Sequence, residues 1–115
     1  MDEAISTAKE LKDKVGLGHA LNWAAGLALL ERNRAEVDRL ASDLIELSTR
    51  TSLLFNLPEG VGKRGWERST FGNTVEGIPC IEQAIRKYRA AGSVLGLPFY
   101  LACKAEAFIS SESYP

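Results

Sequence analysis

Shifted against itself by 40 residues, the chain matches three times. Ile5, Ile45 and Ile85 coincide, as do Leu17, Leu57 and Leu97. The match continues through Val15, Phe55 and Leu95, then Gly16, Asn56 and Gly96, then Leu21, Val61 and Leu101, then Ala25, Gly65 and Ala105. A fixed period of about 20 to 50 residues is the signature of stacked supersecondary units, none of which can bury its apolar face alone. The fold must therefore be an array of one small unit used repeatedly.

The apolar spacing says what that unit is. Ala4, Ile5, Ala8, Leu11 and Val15 form one stripe of an amphipathic helix over residues 3–14, which Gly16 is expected to end. From Leu17 to Glu31 the residues are apolar on most sides, so this helix is expected to be sandwiched between neighbours. Arg32-Asn33-Arg34 makes a turn, and Val37, Leu40, Ala41, Leu44, Ile45 and Leu47 stripe a further helix to about Arg50. The next unit repeats the plan over Leu57 to Phe71, although Gly60, Gly62 and Gly65 lie inside it and each costs about 1 kcal/mol relative to alanine. Pro58 and Glu59 suit a first helical turn. Gly72-Asn73 ends the segment, Thr74 is the expected N-cap of the following helix, Pro79 falls early enough in it to be tolerated, and Ala91-Gly92 stops it. A last helix starts near Leu97-Pro98 and runs through Phe108, with residues 110–115 as a frayed tail. No strand pattern competes. The expected fold is all-α: a single domain over residues 1–115 of five to six helices, in about two and a half to three helix-turn-helix repeats.

Composition narrows the function. The 14 basic and 15 acidic residues leave a formal charge of -1, which supplies no electrostatic footprint for nucleic acid or an anionic membrane. The acidic start Met1-Asp2-Glu3 lacks the basic region of a secretory signal, and no apolar stretch reaches the roughly 18 residues of a spanning helix. A cytoplasmic protein is expected, with Cys80 and Cys103 as free, structural thiols.

Paired antiparallel helices in tandem, with small residues where they cross, resemble the tetratricopeptide repeat. That family's first helix carries a large residue and then a small one four positions on, matched by Leu21 with Ala25, Val61 with Gly65 and Leu101 with Ala105. Gly77 with Ala84 matches the small pair of its second helix, and residues 72–78 look like its inter-helix turn. More narrowly, Tyr88-Arg89-Ala90-Ala91-Gly92 and residues 95–108 are similar to the repeat region C-terminal to the ATPase or cyclase modules of large bacterial signalling proteins, class III adenylate cyclases and related transcriptional regulators among them. The resemblance implies an antiparallel right-handed α-solenoid. Its period of 40 exceeds the usual value of about 34. Arg64 and Arg68 stand where the family packs apolar residues, and the last helix has no following partner, as in a piece cut from a longer array.

A search for chemistry returns little. Gly60, Gly62 and Lys63 suggest a phosphate loop, but the glycine spacing fails and Arg64 stands in place of Ser or Thr. His19 is the lone histidine and has no zinc-ligand spacing to the two cysteines, so neither a metal nor a cofactor is expected. No arrangement of Ser, His and Asp or of paired carboxylates stands out, and the chain reads as non-enzymatic.

What repeats of this type offer is a concave surface lined by the first helix of each pair. On the family register that surface receives His19, Asn22 and Gly26, then Glu59, Gly62, Trp66 and Ser69, then Phe99, Ala102 and Glu106. Trp66 is either the hot spot of this surface, since indoles dominate binding interfaces, or a residue packed over the glycine-weakened helix. Lys63, Arg64, Glu67 and Arg68 around it read first as solubilising charges and otherwise as a set that would select an acidic peptide. The expected function is a protein-interaction or scaffold module, a fragment or relative of a bacterial signalling protein. The alternatives are a decayed remnant of a longer gene, and self-association into a homodimer through the uncapped helix beginning Leu97-Pro98-Phe99-Tyr100-Leu101.

Overall fold

The turns carry the repeat into three dimensions. In a computed structural model, which describes residues 2–10, 13–51, 56–92 and 96–112, Arg32 and Gly72 occupy the same left-handed position 40 residues apart, with φ of 60° and 92°. After each comes an asparagine whose side chain accepts from a backbone N–H three residues on: Glu36 N to Asn33 Oδ1 at 3.3 Å, and Glu76 N to Asn73 Oδ1 at 3.2 Å. The Asn33 N–H reaches back to the Ala28 carbonyl at 2.9 Å and the Asn73 N–H to the Arg68 carbonyl at 3.0 Å. Each turn thereby satisfies both the donors that open one helix and the acceptors that close the last.

Among the described residues this punctuation gives six helices: α1 (Asp2–Glu10), α2 (Lys14–Leu30), α3 (Arg34–Thr51), α4 (Leu57–Thr70), α5 (Thr74–Ala91) and α6 (Leu97–Glu112). No strand occurs among the described residues. Helices α3 and α5 have the same length, 18 residues, and begin 40 residues apart; α4 and α6 also begin 40 residues apart. Gly92, with φ of 68°, closes α5 in the left-handed conformation that favours glycine.

Three boundaries differ from the sequence reading. Gly16 does not end the first helix: α2 has already begun at Lys14, because the Asp13 carboxylate caps it by accepting from Gly16 N at 2.9 Å. A Cβ at Gly16 would collide with that carboxylate, so the glycine serves the cap. Asn73, not Thr74, caps α5, and its amide also donates to Glu76 Oε2 at 2.8 Å, closing a reciprocal box. In the 110–115 tail, helix continues to Glu112, and the last three residues lie outside the described set.

The packing divides into two compact units, residues 1–60 and 61–115, with the boundary inside α4. In the first, α1 and α3 both pack on α2. The core is alanine-rich on one side, with Ala20, Ala24, Ala25 and Ala28 joined by Leu21 and Leu29, and branched on the other, with Val37, Leu40, Leu44 and Leu47 around Ala41. Burying each large aliphatic side chain contributes about 1.5–3 kcal/mol. In the second unit α5 packs on α6. Its core is Trp66, Ile81, Ala84, Ile85, Tyr100, Cys103 and Ala107.

Between α4 and α5 the chains approach backbone to backbone. A Cβ on Gly65 would lie 2.6 Å from the Gly77 carbonyl oxygen and 2.7 Å from Cys80 Cβ. One on Gly77 would strike the Ser69 hydroxyl and the Gly65 carbonyl. At Gly62 it would meet Ala84 Cβ at 2.7 Å and the Tyr100 ring at 2.8 Å. Glycines that cost helix propensity thus serve as contact points, and the small Gly77 and Ala84 are the residues that α5 presents to them.

This contact predicts an asymmetry between two substitutions. Gly77→Ala should cost about 1–3 kcal/mol, the range for overpacking a tight interior. The Ser69 hydroxyl is buried without a hydrogen-bond partner, so Ser69→Ala should be neutral or stabilising. Because the two groups collide, the double variant should lose less than the sum of the singles. Urea denaturation of all three variants measures the coupling, and strict additivity would contradict the contact.

Candidate interaction surface

Helix α4 carries the most polar sequence of the repeat unit and is the helix most enclosed. Glu59, Lys63 and Glu67 recur every four residues along one side, and all three are buried, as are Gly62, Gly65, Trp66 and Ser69. Inside the second unit Lys63, Trp66 and Glu67 find defined partners. Lys63 Nζ, on a residue 4% exposed, donates to the Tyr100 hydroxyl at 2.7 Å. It also lies 5.0 Å from the Tyr100 ring centroid and 5.4 Å from that of Phe99, within reach of cation–π attraction. Tyr100 stacks on Tyr88 at 5.7 Å and meets Phe99 edge-on at 5.0 Å. The Trp66 indole N–H donates to Glu106 Oε1 at 3.1 Å. Arg68 pairs with its neighbour Glu67 and lies 3.7 Å from Glu76.

These contacts place the residues assigned to a concave surface. Trp66 and Glu106 come together and sit one repeat apart, and Phe99 joins Tyr100 and Lys63 in the same cluster. Trp66 is only 1% exposed, however, and Glu59 and Ser69 are buried too, so of the two readings of Trp66, open hot spot and packed indole, the burial agrees with the second. The reason lies in the glycines: without side chains at 62 and 65, α4 sinks against α5 and α6, and its indole is drawn in with it. Of the charged residues around Trp66, Lys63 is buried on a phenol, Arg68 is held by acids and Arg64 is half-buried.

What does stand open is α2. At 100° per residue, Val15, His19, Trp23, Gly26, Leu27 and Leu30 share one third of its circumference. Trp23 is 69% exposed and Leu30 68%, with Val15, His19 and Leu27 exposed as well and Asn22 and Gly26 half-exposed beside them. Helix α2 is sandwiched between α1 and α3, as expected, but both cover its alanine side, and the large residues face out. The sequence did hold a sign of this. Ala20, Ala24, Ala25 and Ala28 are the small residues that let helices approach closely, and Trp23, Leu27 and Leu30 lie opposite them. His19 and Asn22, both assigned from the sequence, belong to this open face; Trp23, Leu27 and Leu30 were missed.

Other candidates are weaker. A groove of about 200 Å³ in the first unit is lined by Leu17, Leu21 and Leu47 with Lys9, Asp43, Glu46 and Arg50. Its charges balance, and Arg50 lies 3.8 Å from Glu46. Among the described residues no group of three His, Cys, Asp or Glu side chains could hold a metal ion, and no helix is long and apolar enough to cross a membrane. Neither cysteine forms a disulfide; Cys103 is buried and Cys80 half-buried. Burial pushes the Cys80 thiol up, against the nearby positive charge of Arg64, which pulls the other way.

No protein-family model, curated protein or solved structure matches the chain.

Two measurements check these assignments. Trp66→Ala should destabilise the protein by about 3–5 kcal/mol, as deletion of a buried indole does. Trp66→Phe keeps most of the packing and should cost about 1 kcal/mol, the worth of the lost hydrogen bond to Glu106. Thermal melts that leave Trp66→Ala near wild type would contradict its burial. For Cys80, a raised thiol pKa means less thiolate at neutral pH, so alkylation should run slower than that of a free cysteine and speed up as pH rises. The sign for stability follows: a folded-state thiol pKa above the unfolded one leaves its contribution intact at neutral pH and loses it as pH climbs past the ordinary thiol range. Mass spectrometry of alkylated peptides over a pH series reads the first effect directly.

Proposed function

We propose that this chain is a non-enzymatic protein-interaction module of tetratricopeptide type, with its helix pairs stacked as a right-handed solenoid, belonging to or related to a cytoplasmic bacterial signalling protein. Its ligand is an apolar segment of another protein laid along the open face of α2. The observation that carries the reading is Trp23, an indole 69% exposed on a helix face that also holds Val15, Leu27 and Leu30 and no acidic residue. Contiguous exposed apolar surface rimmed by polar groups marks interaction sites, and tryptophan is over-represented among the residues that dominate binding energy. His19 and Asn22 on the same face supply polar points of orientation. Three further features support the repeat-type assignment: the 40-residue step between equivalent helices, the small-on-small crossing of α4 and α5, and the contact between equivalent positions Trp66 and Glu106.

A photo-crosslinking amino acid in place of Trp23 tests the reading in cells. It should yield a discrete adduct that disappears when Leu27→Asp is added and that is missing when the crosslinker replaces the exposed Gln83 instead. The captured protein, once purified, should bind wild type and lose at least about tenfold in affinity to Leu27→Asp, the cost of a charge on a buried apolar contact being at least about 1.4 kcal/mol. Equal crosslinking from positions 23 and 83 would sink the proposal.

A further inference from the structure

We draw no further inference here: the strongest candidate, the exposed face of α6 that holds Leu101, Phe108 and Ile109, carries nothing, since nothing in the structure shows what covers it.

Discussion

The second unit depends on how closely α4 and α5 can approach at Gly65 and Gly77. At most helix crossings side chains keep the axes about 8–10 Å apart. Here the Gly77 carbonyl stands 2.6 Å from where a Gly65 side chain would begin, so the two backbones touch and nothing larger than hydrogen fits between them. Everything around that point is arranged by it. Ser69 is pressed against Gly77, Gly62 admits the Tyr100 ring, and Trp66 is carried inward until its indole finds Glu106. The propensity lost to three glycines in one helix is offset by dispersion and apolar burial that a bulkier helix could not reach.

Helices α2 and α4, the first helices of successive pairs, are opposite in both polarity and burial. Helix α4 is polar and buried, whereas α2 is apolar and half open. Burying Glu59, Lys63 and Glu67 is tolerable only where each finds an oppositely charged, hydroxyl or aromatic neighbour, as Lys63 does at Tyr100 and Glu67 at Arg68. Such a network narrows the ways α4 and α6 can pack, because the Lys63 and Trp66 hydrogen bonds, to Tyr100 and Glu106, set both the register and the spacing of the two helices. An apolar helix carries no such specification, and α2 is free to present large residues outward.

Much of the architecture was legible because it is local. Asn73 after Gly72 and Asn33 after Arg32 cap helices by chemistry contained within a few residues, so helix order and the 40-residue step could be read before any contact was known. The pairing of Trp66 with Glu106 was also implicit, since both occupy the same place in successive units. Exposure was not legible. Periodicity identifies which residues share a face and is silent on which face a neighbour covers, so Trp66 could be read as open or packed and the exposure of Trp23 was missed. Gly16 misled for a related reason: it ends a stripe in the sequence, yet the deciding group is the carboxylate of Asp13, three residues earlier.

The opposite burial of the two tryptophans gives the protein two distinct emitters. Each unit contains one indole, and the two sit in opposite environments: Trp23 surrounded by solvent in the first, Trp66 sealed and hydrogen-bonded in the second. Their emission should therefore be separable, a red component quenched by iodide and a blue component shielded from it. The protein thus carries an optical label for each unit. One colour reports what happens on the surface of α2, and the other reports whether the glycine crossing behind α4 is still closed.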